Sequence, residues 1–270
     1  MTAGRIAVSE ITTAEWSFEE DVRAYGDAPG VDGIGVWREK LAASEYSPAA
    51  ARERLESAGL EACSLLFAGG FTEDFEAGLA DARDAIRTAE RLGAPVLLVV
   101  AGPRIGVSPA EGGRLARDAI EELAPDARAA GVTLALEPIH PIKVAEYSTV
   151  VTLAQARDAV AGVDGAGLML DIWNSWWEPD LIEELSRAAD EVAAVQVADF
   201  RAEDDPLDRA PPGEGIVPLG EIVAALEGAG YDGWYEIELF TEQYEPAAYP
   251  ALIEACVSGT ERLLSEWDTR

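Results

Sequence analysis

Short apolar segments alternate with amphipathic segments along this whole sequence, and the apolar segments number eight. Several of them are almost wholly apolar, which is typical of parallel strands covered on both faces. The segments between them repeat their apolar residues every three to four positions, as helices do. The predicted strands are residues 5–11, 33–37, 60–67, 95–102, 132–137, 166–173, 192–199 and 234–240.

Eight strand and helix units in 270 residues suit either a closed barrel or an open doubly wound sheet. The open sheet usually binds nucleotides through a glycine-rich turn after its first strand. Here no GxGxxG follows the first strand and no GxxxxGK[ST] occurs anywhere. The units are evenly spaced, with no change of composition between the halves. The sequence therefore predicts an α/β fold, a (β/α)8 TIM barrel, as one domain.

The charge of the chain restricts its partners. With 51 acidic against 20 basic residues, the formal net charge is −31, which opposes binding to nucleic acid phosphates and to anionic membranes. No apolar segment approaches the roughly 20 residues that a membrane-spanning helix needs, and no basic, apolar leader is recognised. We therefore expect a soluble, cytoplasmic protein that acts on a small molecule.

Cysteine and histidine are both scarce. Cys63 and Cys256 are too few for a disulfide framework or a zinc knuckle, and we expect them to be buried free thiols. His140 is the single histidine. Any metal site must therefore consist mainly of oxygen ligands, which favours Mg, Mn or Co over a structural zinc.

Polar residues lie at the ends of the last four predicted strands, and they are Glu137, Asp171, Gln196 and Glu238. Barrel enzymes place their functional groups where these ends meet. A carboxylate in apolar surroundings is costly unless it is paired or binds a cation. A shared divalent ion would satisfy three acids at once. For each acid alone, a helix cap or an ion pair with an arginine is the alternative. Glu236 competes with Glu238, and we expect only one of the two to point into the barrel.

Four parts of the sequence resemble the xylose-isomerase-like barrel superfamily, in particular the sugar phosphate isomerases/epimerases. They are LALEPIHP from residue 134, LDIWNSWWEPDL from residue 170, VQVADF from residue 195 with DRAPPGEG from residue 208, and GYDGWYEIELF from residue 230. The resemblance covers essentially the whole chain. It implies a single barrel domain over residues 1–270.

In that family one divalent metal (Mn, Mg, Co or Zn) is held at the ends of strands five to eight. The resemblance assigns the metal to Glu137, Asp171, Gln196 and Glu238. The usual strand-seven ligand is histidine, so Gln196 is a departure. Asn174 is another, because it stands where related chains have a substrate-binding histidine. An amide can bind a hydroxyl but carries no proton at neutral pH.

The resemblance implies a sugar or keto-inositol isomerase or epimerase. Such an enzyme removes a proton next to a carbonyl through an enediolate that the metal stabilises. Glu137 and Glu238 are then both ligands and bases. His140 is expected on the loop above the metal, in a catalytic or substrate-binding role; the alternative is a histidine bonded to backbone.

Further substrate contacts are expected from Asn174, Arg209, Trp16 and Trp173. Arg209 matches a substrate-contacting arginine of many relatives, and its alternative is a surface pair with Asp208. For each tryptophan the alternative is plain packing. Basic residues are scarce near the strand ends, which favours a neutral sugar or inositol as substrate.

Three other functions compete. The first is a lyase of the C-glycoside deglycosidase type, acting on 3-keto glycosides together with a small β-rich partner subunit. The second, the DNA-repair endonuclease branch of the superfamily, is opposed by the single histidine and the net charge of −31. The third is a scaffold whose site has decayed at Gln196 and Asn174. A homo-oligomer is also possible.

Overall fold

The eight predicted strands are all present in a computed structural model, which describes residues 5–104, 106–203, 207–239 and 244–268. In chain order they are β1 (Arg5–Ser9), β2 (Gly33–Trp37), β3 (Glu61–Gly69), β4 (Val96–Val100), β5 (Thr133–Leu136), β6 (Ala166–Asp171), β7 (Val192–Val197) and β8 (Trp234–Ile237).

Helices follow each strand in the described part of the chain, with extra short ones near the barrel mouth. They are α1 (Phe18–Gly26), α2 (Arg38–Ala43), α3 (Pro48–Ser57), α4 (Phe75–Leu92), α5 (Pro109–Ala130), α6 (Leu153–Val160), α7 (Ile172–Ser175), α8 (Leu181–Ala188), α9 (Leu219–Gly228) and α10 (Tyr249–Asp268). Short 3-10 segments cover Glu10–Thr13, Pro141–Lys143, Ala189–Glu191 and Pro246–Ala248.

Every strand pairs in parallel with its neighbours, and β8 returns to pair with β1. Ile6 lies opposite Tyr235 and Ala7 opposite Glu236 across this closing pair. The sheet is therefore a closed barrel of eight strands, which confirms the predicted TIM-barrel fold. All eight strand ends meet at one mouth.

Six strands (β1, β4, β5, β6, β7 and β8) end one to three residues earlier than predicted, and residue 240, the predicted end of β8, lies outside the described residues. After β1 and β6 a side chain caps the turn that follows. Ser9 accepts a hydrogen bond from Ile11 N, and a 3-10 helix starts at Glu10. Asp171 accepts from Trp173 N, and α7 starts at Ile172. Small polar side chains at such positions satisfy free backbone N–H groups and start helices. In both places the strand thus ends where a capped helical turn begins.

The apolar core has two parts. The larger part lies between the strands and the surrounding helices. A smaller part fills the barrel interior on the side of β3 to β7, and its buried members include Leu66, Leu98, Ala135 and Met169. Cys63 and Cys256 are buried and unpaired, as predicted. Within the described residues no helix is long and apolar enough to cross a membrane.

The half-buried carboxylate of Glu178, in the turn after α7, binds the backbone at the start of α6. Glu178 accepts hydrogen bonds from Leu153 N at 2.9 and 3.2 Å. Burial raises the pKa of Glu178 to about 7. In the unfolded chain a glutamate titrates near pH 4.3, so between these values the folded state holds the extra proton. The free energy of unfolding should therefore fall as pH rises from about 5 to about 7.

This contribution is at most about 1.4 kcal/mol per pH unit, the limit for one bound proton. Glu178→Gln keeps an oxygen for Leu153 N but cannot titrate, so we expect a flatter pH dependence. Urea unfolding at pH 5, 6, 7 and 8 measures it. Glu76→Gln, at an exposed position on α4, is the control. Identical slopes for Glu178→Gln and the unchanged protein would contradict the assignment.

Candidate active site

Four polar side chains at the ends of β5 to β8 are buried together at the barrel mouth. Glu137 and Glu238 are each 5% exposed, and Asp171 and Gln196 are 0% exposed. Each of the two glutamates directly follows its strand and extends the backbone hydrogen bonding of the sheet by one residue. Glu137 N donates to Val99 O at 3.0 Å, and Glu238 N donates to Val197 O at 3.3 Å. The structure thus brings the predicted set together.

Arg209 links two of these acids. It is 3% exposed, and its Nη2 lies 2.7 Å from Asp171 Oδ2 while its Nη1 lies 2.8 Å from Glu238 Oε2. Its guanidinium carbon lies 5.0 Å from the centre of the Trp173 ring. The alternative of a surface pair with Asp208 is therefore wrong, because Arg209 is buried among the acids.

Asn174 links the third acid to the group. Its Nδ2 donates to Glu137 Oε1 and to Asp171 Oδ2, both at 2.7 Å. Its Oδ1 accepts from His140 N at 3.1 Å. Both amide protons of Asn174 are therefore used by carboxylates, and the residue holds Glu137 and Asp171 at a fixed separation. Its predicted contact with substrate stays a prediction.

Glu236 and Glu238 both point into the barrel, so the expectation that only one would do so is wrong. Side chains two positions apart along a strand share a face, and only adjacent ones alternate. Gln196 Nε2 donates to Glu238 Oε1 at 2.9 Å and to Glu236 Oε1 at 3.4 Å. Glu236 lies deeper, where Ser64 donates to its Oε2 at 2.6 Å. Gly35 leaves room for it, since a Cβ there would stand 2.0 Å from Glu236 Oε1.

A hydroxyl from the other end of the chain holds the backbone around Glu238. Thr12 Oγ1 donates to Ile237 O at 3.2 Å and accepts from Leu239 N at 3.0 Å. Thr12 lies in the 3-10 segment after β1 and is 3% exposed. It therefore supplies backbone partners on both sides of Glu238, where the strand ladder ends.

Asp199, which sequence reasoning did not single out, shapes the loop that carries Arg209. Its Oδ2 accepts from Gly213 N and Gly215 N, and its Oδ1 accepts from Val217 N, at 2.9 to 3.0 Å. Its backbone also pairs with that of Ala210. An aspartate closing an apolar strand just before a Pro- and Gly-rich loop was the available signal.

Burial and crowding of like charge govern the ionisation of the acids. Burial, with the charges of Asp171 and Glu238, raises the pKa of Glu137 well above its usual value. Burial raises the pKa of Glu238 to about 7, although Arg209 opposes the shift. For Arg209 burial disfavours the charge, but Asp171 and Glu238 outweigh it and raise the pKa. Carboxyl groups that ionise near neutral pH are suited to proton transfer.

A small cavity of about 60 Å³ opens above these groups. Its polar lining residues are Glu137, Asn174, Arg209 and Glu238, together with Lys143. Its apolar lining consists of the aliphatic side chains of Ile11, Leu66, Leu98, Val100 and Ile139, with the rings of Phe67 and Tyr147. Lys143 was not foreseen. The expectation that basic residues are scarce here is wrong, since two cations line the cavity.

Five residues predicted at the site are not among those that line this cavity, namely Asp171, Gln196, His140, Trp173 and Trp16. His140 Nδ1 accepts from Ile142 N at 3.2 Å, and its ring lies 5.6 Å from those of Trp173 and Trp177. Burial, with the charge of Lys143, lowers the pKa of His140. Trp173 is buried beneath Arg209, and Trp16 packs edge-on against Tyr249 at 5.2 Å. Their roles in binding or catalysis stay predictions.

The acids are suited to a divalent metal by their chemistry. Among the described residues, no three His, Cys, Asp or Glu side chains stand as a ready-made metal site, because Asp171 and Glu238 turn towards Arg209. Gln196 Oε1, however, is buried without a hydrogen-bond partner. A carboxylate set with an unpartnered amide oxygen suits a hard cation. The donor set therefore fits a metal, whose binding would compete with the contacts to Arg209.

Comparison with known families and structures agrees with the barrel architecture. The family model described as xylose isomerase-like TIM barrel matches residues 22–257. A crystal structure of a protein from Sinorhizobium meliloti 1021 superposes with a TM-score of 0.87 at 30% identity, covering 96% of this chain and 98% of that one. The IolI protein, solved with a bound zinc atom, superposes with a TM-score of 0.85 at 23% identity, covering 97% and 99%.

Named relatives are similar over part of their length. A putative hydroxypyruvate isomerase of Streptomyces coelicolor is 30% identical over 198 residues, which are 70% of this chain and 65% of the relative. An L-ribulose-5-phosphate 3-epimerase of Shigella flexneri is 31% identical over 185 residues, 66% of this chain and 61% of the relative. The chain thus spans less than two thirds of each of these relatives.

Proposed function

This chain belongs to the xylose isomerase-like TIM barrel family, and we propose that it is a divalent-metal-dependent isomerase or epimerase of the sugar or keto-inositol type. One observation carries the proposal: two buried glutamates, Glu137 and Glu238, open onto one cavity with a guanidinium between Glu238 and Asp171. The names of the relatives in Streptomyces coelicolor and Shigella flexneri support it.

The reaction begins with removal of a proton from a carbon next to a carbonyl. Glu238 is the base in our proposal, because it lines the cavity and burial raises its pKa to about 7. A carboxyl group with this pKa can both take and return a proton, and such catalysis contributes about 10²- to 10⁴-fold. Glu137, which directly follows β5, lines the same cavity and returns the proton in our proposal.

Arg209 and Asn174 orient the acids and the substrate. The guanidinium of Arg209 can donate to an oxygen that gains negative charge as the proton leaves, which lowers the barrier. Glu137, Asp171, Gln196 and Glu238 would hold the metal, with Gln196 offering its unpartnered Oε1. When bound, a divalent ion would supply Lewis-acid polarisation of the carbonyl.

Exchange of carbon-bound hydrogen tests this function. In D₂O, proton NMR should show deuterium entering the carbon beside the carbonyl of a ketose or hydroxy ketone. Treatment with a chelator should abolish the exchange, and Mn²⁺ should restore it. The absence of exchange with any ketose, together with the absence of bound metal by elemental analysis, would favour the scaffold alternative.

One observation supports a second function, that of a lyase. A groove of about 620 Å³ adjoins the small cavity and shares Phe67, Val100 and Tyr147 with it. A groove with aromatic walls suits a flat leaving group, as in the C-glycoside deglycosidase type of lyase. Incubation with a 3-keto C-glucoside, with and without a small β-rich partner, separates the two functions. Release of the aglycone would favour the lyase.

A further inference from the structure

Glu236 is a carboxylate that lies deeper in the barrel than Glu238, and the proposed reaction does not use it. It is fully buried and is not among the residues that line the cavity. Its Oε2 accepts from Ser64 Oγ at 2.6 Å and from Cys63 Sγ at 3.5 Å. Its Oε1 accepts from Gln196 Nε2 at 3.4 Å. A carboxylate in the barrel interior is costly, so its place there calls for a physical reason.

The strand register places Gln196 between Asp171 and Glu236. Gln196 on β7 pairs with Asp171 on β6 and with Glu236 on β8. All three side chains are fully buried. Glu236 is therefore the β8 neighbour of the proposed amide ligand, as Asp171 is its β6 neighbour, but Glu236 is not itself a proposed ligand.

The two ends of the Gln196 amide differ in polarity, and only one of them suits a cation. The amide nitrogen only donates hydrogen bonds, whereas the oxygen only accepts them. Nε2 donates to Glu238 Oε1 at 2.9 Å and to Glu236 Oε1 at 3.4 Å. Within the described part of the chain, the amide oxygen Oε1 is buried without a hydrogen-bond partner. Half a turn of the amide would set this oxygen against two carboxylate oxygens, so the two acids of β8 favour the orientation that leaves Oε1 free.

Of these two acids, Glu236 is the one whose contacts do not involve the proposed ligands and base alone. Glu238 is a proposed ligand and base, and its Oε2 pairs with Arg209, so a bound ion would change its contacts. Glu236 is held by Ser64 and occupies the space that Gly35 leaves. Because the amide nitrogen can only donate, its bond to Glu236 exists whichever charge Glu236 carries.

We propose that Glu236 is a positioning residue, which holds the Gln196 amide so that Oε1 is the end available to a metal ion. This inference rests on the proposed metal-dependent function. An amide held in this way offers a hard oxygen donor, which suits Mg²⁺ or Mn²⁺. Without Glu236 the amide is free to turn its NH₂ towards the ion, and the site loses a ligand.

Three substitutions separate orientation from charge. Glu236→Met removes both the charge and the acceptor for Gln196 Nε2. Glu236→Gln removes the charge but keeps an oxygen that can accept from Nε2, while Ser64 can donate or accept at the other end. Gln196→Ala removes the proposed ligand. Each change of Glu236 is also made together with Gln196→Ala, which gives a double-mutant cycle.

The Mn²⁺ affinity of the purified full chain, freed of metal with a chelator, is the first measurement. Electron paramagnetic resonance detects the unbound ion. We expect Glu236→Met to weaken binding by about tenfold or more, since loss of a residue that orients a metal ligand typically costs about 10- to 100-fold. Glu236→Gln should weaken it markedly less. With Gln196→Ala present, the two changes of Glu236 should give equal affinities, whereas an effect other than through Gln196 would persist.

Nuclear magnetic resonance of the metal-free protein is the second measurement. The chain has three glutamines and one asparagine, so only four side-chain amides contribute to a ¹H–¹⁵N spectrum. Gln196→Ala assigns the Gln196 pair by its disappearance. Both protons should resonate downfield, because each is bound by a carboxylate. Glu236→Met should move one of them towards the position of a free amide, and Glu236→Gln should move it less.

The outcomes separate the positioning role from the proposed function. Equal Mn²⁺ affinities for Glu236→Met and Glu236→Gln, or the same difference between them with and without Gln196, overturn the positioning role and leave the metal-dependent function standing. Absence of Mn²⁺ binding by the unchanged chain contradicts that function. The Gln196 resonances then decide on the positioning: a pair that Glu236→Met does not move overturns it, and a moved pair supports it. Thermal unfolding of each variant checks that the fold is retained.

Discussion

Replacement of Glu238 by glutamine is expected to lower turnover by about 10³-fold while the fold is retained. The carboxylate is the proposed base, and loss of a positioned base typically costs about 10²- to 10⁴-fold. The amide can still accept from Arg209 Nη1, now 2.8 Å from Glu238 Oε2. Its NH₂ can donate to Gln196 Oε1, at present without a partner, once the Gln196 amide rotates, because Gln196 Nε2 now faces this position. The unfolding temperature should therefore change little.

Turnover and thermal unfolding are measured on the same preparation of Glu238→Gln. Glu254→Gln, an exposed position on α10, removes one carboxylate from the helix that follows β8 and serves as the control. It should retain full turnover. Full turnover in Glu238→Gln would overturn the assignment of the base.

Replacement of Arg209 by methionine is expected to have the largest effect on stability. Arg209 is the cation that contacts Asp171 and Glu238, and all three side chains are buried. Removal of one partner from a buried ion pair costs about 3–5 kcal/mol, because the remaining charge stays unpaired. Urea unfolding of the chelator-treated protein at pH 8 measures the change. Lysine at this position should recover part of it, since one ammonium cannot form the two-pronged contact.

The stability gained on adding Mn²⁺ is a second measurement on Arg209→Met. In Arg209→Met the acids have no guanidinium to compete with the metal, so added Mn²⁺ should raise stability more than it does in the unchanged protein. Arg128→Met is the control, because Arg128 pairs with Asp164 in an exposed position. Such surface pairs contribute about 0–1 kcal/mol. A loss as small as this in Arg209→Met would show that Arg209 does not stabilise the acids.

The strands and the acids of the candidate site could be predicted from two sequence patterns, the apolar segments and the polar residues that end them. Eight apolar segments became eight strands, and acids placed at the ends of β5, β6 and β8 converge because a closed barrel brings those ends to one mouth. The expectation that Glu236 would point away from the barrel interior was wrong. Glu236 and Glu238 are two positions apart on one strand, so their side chains share a face, and both point into the barrel.

Residues of the candidate site that lie on loops were harder to predict. Lys143 follows His140 in a short 3-10 turn, and nothing in its local sequence indicates that it reaches the cavity. The two contacts of Arg209 depend on how Asp199 folds the loop after β7. Loop conformations of this kind arise from tertiary hydrogen bonds, which have no period in the sequence.

The hydroxyl of Thr12 bonds the carbonyl of Ile237 across 225 positions of the chain. Because Ile237 is synthesised late, this contact can form only after most of the chain exists. Its formation also requires closure of a very long loop. A ribosome that has released only the first seven strands has released a chain that contains Thr12 but lacks Glu238, the proposed base. The proposed catalytic centre is completed last in biosynthesis, so a chain that ends before β8 should not react with substrate.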